Sequence, residues 1–170
     1  MNEKKINILC STVDKASLNI KEHLLLSGEW IATKELPESW KELASIHENS
    51  KYRIIEIDQH HIYQGRIDEK MKKYGYDTDL IIVASKHKSN DGRSVLTAHF
   101  TGNVKNADFG GNPYELSTPA PYMLRSILKN MQKMAQGTNY EINMESTHHG
   151  PTDIRTPMVY AEIGSGEKQW

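Results

Sequence analysis

The chain holds a single cysteine, Cys10, among 170 residues, which excludes an internal disulfide and a thiolate-rich metal site. No apolar run approaches the roughly 18 residues needed to cross a bilayer. The opening "MNEKKINILCST" lacks the long apolar core of a secretory signal. A cytoplasmic protein with no membrane partner is therefore expected. Net charge is lacking too, because Lys+Arg 21 almost cancels Asp+Glu 22. That excludes a broadly basic nucleic-acid platform and leaves room for a local basic patch on one wall of a cleft. Gly65, Gly75 and Gly92 do not form a phosphate-binding fingerprint, and there is no GxxxxGK or GxGxxG. No serine stands in a GxSxG elbow. Without a serine nucleophile, hydrolysis would fall to a water activated by histidine, carboxylate or metal.

What the chain has in excess is histidine: eight residues, several beside carboxylates or hydroxyls in extended-looking segments. The length suits one domain over residues 1–170, large enough to bury most of the surface its unfolded chain exposes. "INILCST" (Ile6 to Thr12) is a short apolar run ending in turn formers, and "DKASLNIKEHLLLSG" after it has helical spacing. Tyr52 to Tyr63 looks extended, with Ile55 and Ile57 inward, Glu56 and Asp58 outward and a hairpin around Asp58 to His61. Its two histidines, His60 and His61, are read as non-functional. "DLIIVASKH" (Asp79 to His87) has the continuous β-branched pattern of a central strand covered on both faces.

"SVLTAHFTGN" (Ser94 to Asn103) alternates, and the Asn-Asp-Gly turn before it predicts an antiparallel pair with the preceding strand. Gly110 to Pro121 is a Gly/Pro-rich loop long enough to line a site. From Pro121 to Gly137 the spacing of Met123, Leu124, Ile127, Leu128, Met131 and Met134 predicts an amphipathic helix whose methionines are core. "YEINMEST" and "PMVYAEIGS" predict two further strands. The expected fold is α/β, a mixed β-sheet flanked by helices.

The densest chemistry lies in "MESTHHGPTDIRTP", Met144 to Pro157. On a strand, Glu145, Thr147 and His149 would share one face and His148 the other, so the adjacent histidines need not chelate one ion. Gly150-Pro151 breaks the strand directly after His149 and allows the two imidazoles to turn toward one point. Glu162 shares a face with Tyr160 and can serve as base, as ligand or as the partner that orients a histidine. His87 follows the central strand, and His99 lies in the next segment. Lys86, Lys88 and Arg93 would surround that cleft with positive charge suited to phosphate.

Taken together, "SKHKS", "LTAHFTGN", "THHGPT" and "EIGS", in that order and closing on Trp170, resemble the archaeal and plant type of D-aminoacyl-tRNA deacylase. The match is dense from about Ser85 to Trp170 and thin before it. The resemblance implies a phosphorylase/hydrolase-like fold, similar to that of peptidyl-tRNA hydrolases. It implies cleavage of the ester between a D-amino acid and the 3′-terminal ribose of tRNA, with two zinc ions per subunit. By position it implies the motif histidines His87, His99, His148 and His149 with the carboxylates Glu145 and Glu162; of these, His87, His99, His149 and Glu162 are expected as metal residues, and His148, His149 and Glu145, with Thr152 added by the chemistry, as catalytic ones. In this scheme His148 or His149 holds zinc or relays a proton, Glu145 or Glu162 orients the water, and Thr152 or a backbone N–H near Gly150 assists the oxyanion. Lys86, Lys88 and Arg93 would hold the tRNA acceptor end. Family members continue past the "EIGS" segment, so the chain is expected to be either a piece or a short form, monomeric unless oligomerisation repairs it. The alternatives are a nucleoside phosphorylase or peptidyl-tRNA hydrolase relative, and a catalytically incomplete domain that binds the tRNA end.

Overall fold

The computed structural model describes residues 5–170. The first half of the chain contributes β1 (Ile6–Ser11), α1 (Lys15–Leu26), β2 (Ile31–Ala32), β3 (Leu43–Glu48), β4 (Tyr52–Ile57), a 3-10 turn (His61–Tyr63) and α2 (Ile67–Lys73). The second half contributes β5 (Ile81–Lys86), β6 (Val95–His99), β7 (Gly102–Asn103), β8 (Glu115–Leu116), α3 (Pro121–Met134), β9 (Glu141–Met144) and β10 (Met158–Gly164). Eight strands form one sheet in the order β2-β3-β4-β1-β5-β10-β6-β9, and β7 pairs with β8 alone. The four central strands, β4, β1, β5 and β10, run parallel, while β6 opposes β10. The expected mixed sheet flanked by helices is what forms.

Hydrophobic side chains emerge from both faces of those central strands, which is why they read as continuous apolar runs. On one face Leu9, Ile55, Ile57, Val83, Met158 and Tyr160 pack with Trp40, Ile67, Met71 and Ile154. On the other, α1 covers Ile8, Cys10, Ile54 and Ala84 through Ile20, Leu24 and Leu25. Leu124, Ile127 and Leu128 of α3 cover Ala98 and Val159 on that same face. Asp14 caps α1 by accepting from the Ser17 N–H at 3.0 Å, and Pro121 opens α3 where no amide donor is needed. Among the described residues no helix is long and apolar enough to cross a membrane.

Four expectations are corrected. β5 and β6 run in opposite directions as the turn requires, but β10 lies between them and pairs with both. An Asn-Asp-Gly turn reverses a chain without making its two arms neighbours, and β10, with Met158, Val159, Tyr160 and Glu162 all buried, fills the slot between them. The hairpin at Asp58 to His61 is instead a 3-10 turn, anchored where the Ser11 hydroxyl donates to the Gln59 carbonyl at 2.8 Å. Met134 is exposed, because α3 has run past the sheet by its last turn.

Glu56 is buried rather than outward, since α1 covers its face. There the Lys21 ammonium lies 2.6 Å from its carboxylate, and the Ser45 hydroxyl donates at 2.7 Å. Removing one partner strands the other charge under the helix, so Lys21→Ala should lower unfolding free energy by about 3 kcal/mol in urea melts. The apolar pair Lys21→Met with Glu56→Leu should recover most of that loss.

Candidate active site

Strand register assembles the site before any side chain is considered. β10 alternates, so Tyr160 and Glu162 share a face, and its pairing with β6 sets His99 opposite Tyr160 and Thr97 opposite Glu162. β5 places Ser85 beside Glu162, and His87 follows directly, its N–H donating to the Ile163 carbonyl at 3.0 Å. β9 stops at Met144, and the Glu145 N–H then donates to the Ala98 carbonyl at 3.2 Å. From there the chain is irregular through Gly150. His149 adopts a positive φ of 44°, and the Gly150 N–H donates to the Phe109 carbonyl at 2.9 Å. A Cβ on Gly150 would sit 2.4 Å from Gly110 C and Gly111 N, so only glycine allows this segment to seat on the 109–111 loop. The break after His149 thus does what its Gly-Pro pair allowed: both imidazoles turn toward His99.

His99, His148 and His149 form the first cluster. Their ring centroids lie 4.3 to 4.9 Å apart. In each ring Nδ1 faces a backbone carbonyl: His99 to Phe100 at 2.9 Å, His148 to Ser146 at 2.7 Å and His149 to Gly150 at 2.6 Å. A carbonyl only accepts, so Nδ1 carries the hydrogen and the neutral ring keeps its lone pair on Nε2. His87, Glu145 and Glu162 form the second cluster, with His87 Nδ1 3.3 Å from Glu145 Oε1 and 3.7 Å from Glu162 Oε2. Within each cluster the ligand-capable atoms lie inside 4.8 Å of one another. Glu162 joins the two, its Oε2 also standing 3.6 Å from His99 Nε2, too long for a hydrogen bond.

These residues fit a borderline metal such as zinc. The donors are imidazole nitrogens and carboxylate oxygens, and the Nδ1–carbonyl bonds supply the orientation that metal-bound histidines need. Two donor atoms, His99 Nε2 and Glu145 Oε2, are buried without a hydrogen-bond partner among the described residues. Unpaired buried polar atoms are expensive unless something absent from the protein completes them.

Burial and neighbouring charge set the protonation states. Burial pushes His149 down to about 4, with His99 adding repulsion. Burial pushes His99 down too, but the Glu162 carboxylate outweighs it and raises that ring. The same carboxylate raises His87. Burial would raise Glu162, yet His87 and His99 hold it down at about 2. Glu162 is therefore an ionised carboxylate in the protein interior, tied to both clusters.

A cleft of about 520 Å³ opens onto the clusters, lined by His87, His148, His149 and Glu162 together with Lys86, Lys88 and Phe109. Two of the expected residues lie elsewhere. Thr152 is buried in a loop bond, its hydroxyl donating to Glu115 at 2.6 Å and accepting from the Asn112 N–H at 2.8 Å. Arg93 is occupied by Asp91 and Glu141 at 2.8 and 2.7 Å. Asp14, His61 and Ser85 line the cleft unexpectedly. The signal for His61 was its place just beyond a parallel strand, where α/β sheets gather their sites. Tyr160, which alternation had put on the face of Glu162, stacks on His99 with its hydroxyl buried and, among the described residues, unpaired; that stacking left no trace in the sequence pattern.

With that geometry in place, the comparisons decide the family. A profile of the D-aminoacyl-tRNA deacylase family matches residues 74–170. The chain belongs to this family. It is 52% identical over 165 residues to a D-aminoacyl-tRNA deacylase of Methanococcoides burtonii, covering 97% of this chain and 34% of that protein. The D-aminoacyl-tRNA deacylase of Methanosarcina acetivorans is 44% identical, with 100% of this chain and 58% of that protein covered. A crystal structure of a conserved protein of unknown function superposes with a TM-score of 0.90 at 36% identity, covering 100% of this chain and 58% of the other. The chain thus spans between 34% and 58% of the length of these deacylase relatives.

His61 offers a test of the cleft's interior that avoids the two clusters. Burial lowers it to about 4, against the partial pull of Asp14 and Glu162. A histidine lowered on folding binds its proton more readily when unfolded, so its contribution is complete above the unfolded value near 6.5 and is lost as pH falls toward 4. Wild type should therefore lose on the order of 3 kcal/mol more than His61→Gln between pH 6.5 and 4, read from urea midpoints across that range. Parallel curves for the two proteins would contradict it.

Proposed function

We propose that this chain hydrolyses the ester joining a D-amino acid to the 3′-terminal ribose of tRNA, releasing the free D-amino acid and reusable tRNA. One observation carries the reading beyond family membership: three imidazoles with anchored Nδ1 atoms stand beside a His-carboxylate cluster, and His87, His148, His149 and Glu162 of the two line one open cleft. Ester hydrolysis needs an activated water and a means of holding developing negative charge on the carbonyl oxygen. Both needs are met by such a donor set.

Zinc is the proposed cofactor, two ions per subunit, one for His99, His148 and His149 and one for His87, Glu145 and Glu162. When bound, zinc supplies Lewis-acid polarisation of the ester carbonyl and lowers the pKa of water. The protein's own part follows from its geometry. Glu145 turns Oε1 toward His87, and its Oε2, buried without a hydrogen-bond partner among the described residues, is a donor for the ion proposed there. The water oxygen bonds to the ester carbon as the bond to the ribose oxygen breaks, and the proton that the water gives up passes to that ribose oxygen. Glu162 stays ionised and holds His87 and His99 in place. Lys86 and Lys88, on the cleft wall, would meet tRNA phosphates. The activity would serve translation in the cytoplasm, with the chain acting as a monomer.

The test is deacylation of D-tyrosyl-tRNA against L-tyrosyl-tRNA. The D substrate should be cleaved preferentially, and chelator should abolish the activity. His149→Ala should reduce turnover on the order of 100-fold, the scale of a lost acid–base or ligand group. Equal rates on the two enantiomers, or activity untouched by the substitution, would sink the reading; tight binding without turnover would favour a tRNA-end-binding domain instead.

A further inference from the structure

We propose that Phe109 and Tyr63 form a stacking platform at the cleft mouth for the unpaired bases of the tRNA acceptor end. The inference rests on the reading of this chain as one that acts on tRNA, and it names how the nucleic acid is gripped. The chain has only two phenylalanines, and Phe109 is 65% exposed while lining the cleft together with His87, His148, His149 and Glu162. Tyr63 is 59% exposed. Large apolar rings left in water beside a functional cleft mark a contact surface.

Both rings stand on backbone that is held in place. The Phe109 carbonyl accepts from the Gly150 N–H, one residue from His149. Gly110, at φ 80°, presses on the 3-10 turn so closely that a Cβ there would lie 1.9 Å from the Ile62 carbonyl oxygen and 3.2 Å from the Tyr63 ring. The backbone next to Phe109 is thus packed against Tyr63, far from it in sequence. The His60 ring adds an edge contact to Tyr63 at 6.5 Å, and His60 and Ile62 continue the wall into the cleft. Lys86 and exposed Lys88 supply cations on the same cleft. Flat rings together with a few cations is the chemistry that holds single-stranded nucleic acid, since every base offers a face for stacking and each linkage offers a phosphate. A near-neutral chain needs such a local grip, because it has no broad positive field.

The experiment measures affinity by fluorescence anisotropy, using an RNA hairpin with an unpaired 3′ overhang ending in CCA and the same hairpin cut blunt. Wild type should bind the overhang RNA at least tenfold more tightly than the blunt one. Phe109→Ala and Tyr63→Ala should each weaken overhang binding about fivefold and leave blunt binding unchanged, while Phe109→Trp should retain wild-type affinity. Both positions are exposed, and melting curves matching wild type will show that the variants are folded. Equal affinity for the two RNAs, or alanine variants that bind like wild type, would overturn the platform, as would a tryptophan variant as weak as alanine. A platform for a partner protein would give that indifference. Because binding is read without turnover, a wild type that prefers the overhang but cleaves no D-aminoacyl ester would defeat the proposed activity and leave the platform standing. An active enzyme indifferent to the overhang would do the reverse.

Discussion

Three hydrogen bonds from imidazole Nδ1 to backbone carbonyls govern the site. Without them His99, His148 and His149 would each be free to present either nitrogen. With them, the rings turn their Nε2 atoms away from the backbone and toward one another. Two of the three carbonyls belong to the residue that follows its own histidine, so ring orientation is set by local backbone. That backbone is in turn set by packing: His149 holds a positive φ because Gly150 is seated against Gly110 and Gly111.

Glu162 extends that constraint across the sheet. It is nearly fully buried and strongly acidic, yet among the described residues no cation from lysine or arginine meets it; His87 and His99 hold it down instead. An ionised carboxylate removed from water is stable only with such partners, so the two clusters are coupled through one side chain. The interior beneath them is of the same kind: Tyr160 stacks on His99 and meets His61 edge-on, and Asp14 caps α1 while accepting from the Lys86 N–H at 3.2 Å. Helix start, strand end and site share the same residues.

Much of this was legible before the structure. A continuous β-branched run marks β5 as a buried strand, alternation puts Glu162 with Tyr160 on β10, and Gly150-Pro151 marks the place where two adjacent histidines can converge. What was hidden has physical reasons. A turn signals reversal but not adjacency, so β10 between β5 and β6 could not be read from "SNDGRS". Burial of Glu56 depends on α1 lying over it, and the loss of Thr152 and Arg93 to Glu115, Asp91 and Glu141 depends on contacts between segments that spacing does not encode. His61 enters the cleft only because the four parallel strands align their ends.

The central claim is that the two clusters are metal sites built from the protein's own orientation of its imidazoles. The most direct measurement is anomalous diffraction at the zinc edge from crystals grown with zinc. Two peaks are predicted, one among His99, His148 and His149 and one among His87, Glu145 and Glu162, with the first lost in His148→Ala. A map with no peak at either cluster in zinc-loaded protein would contradict the account.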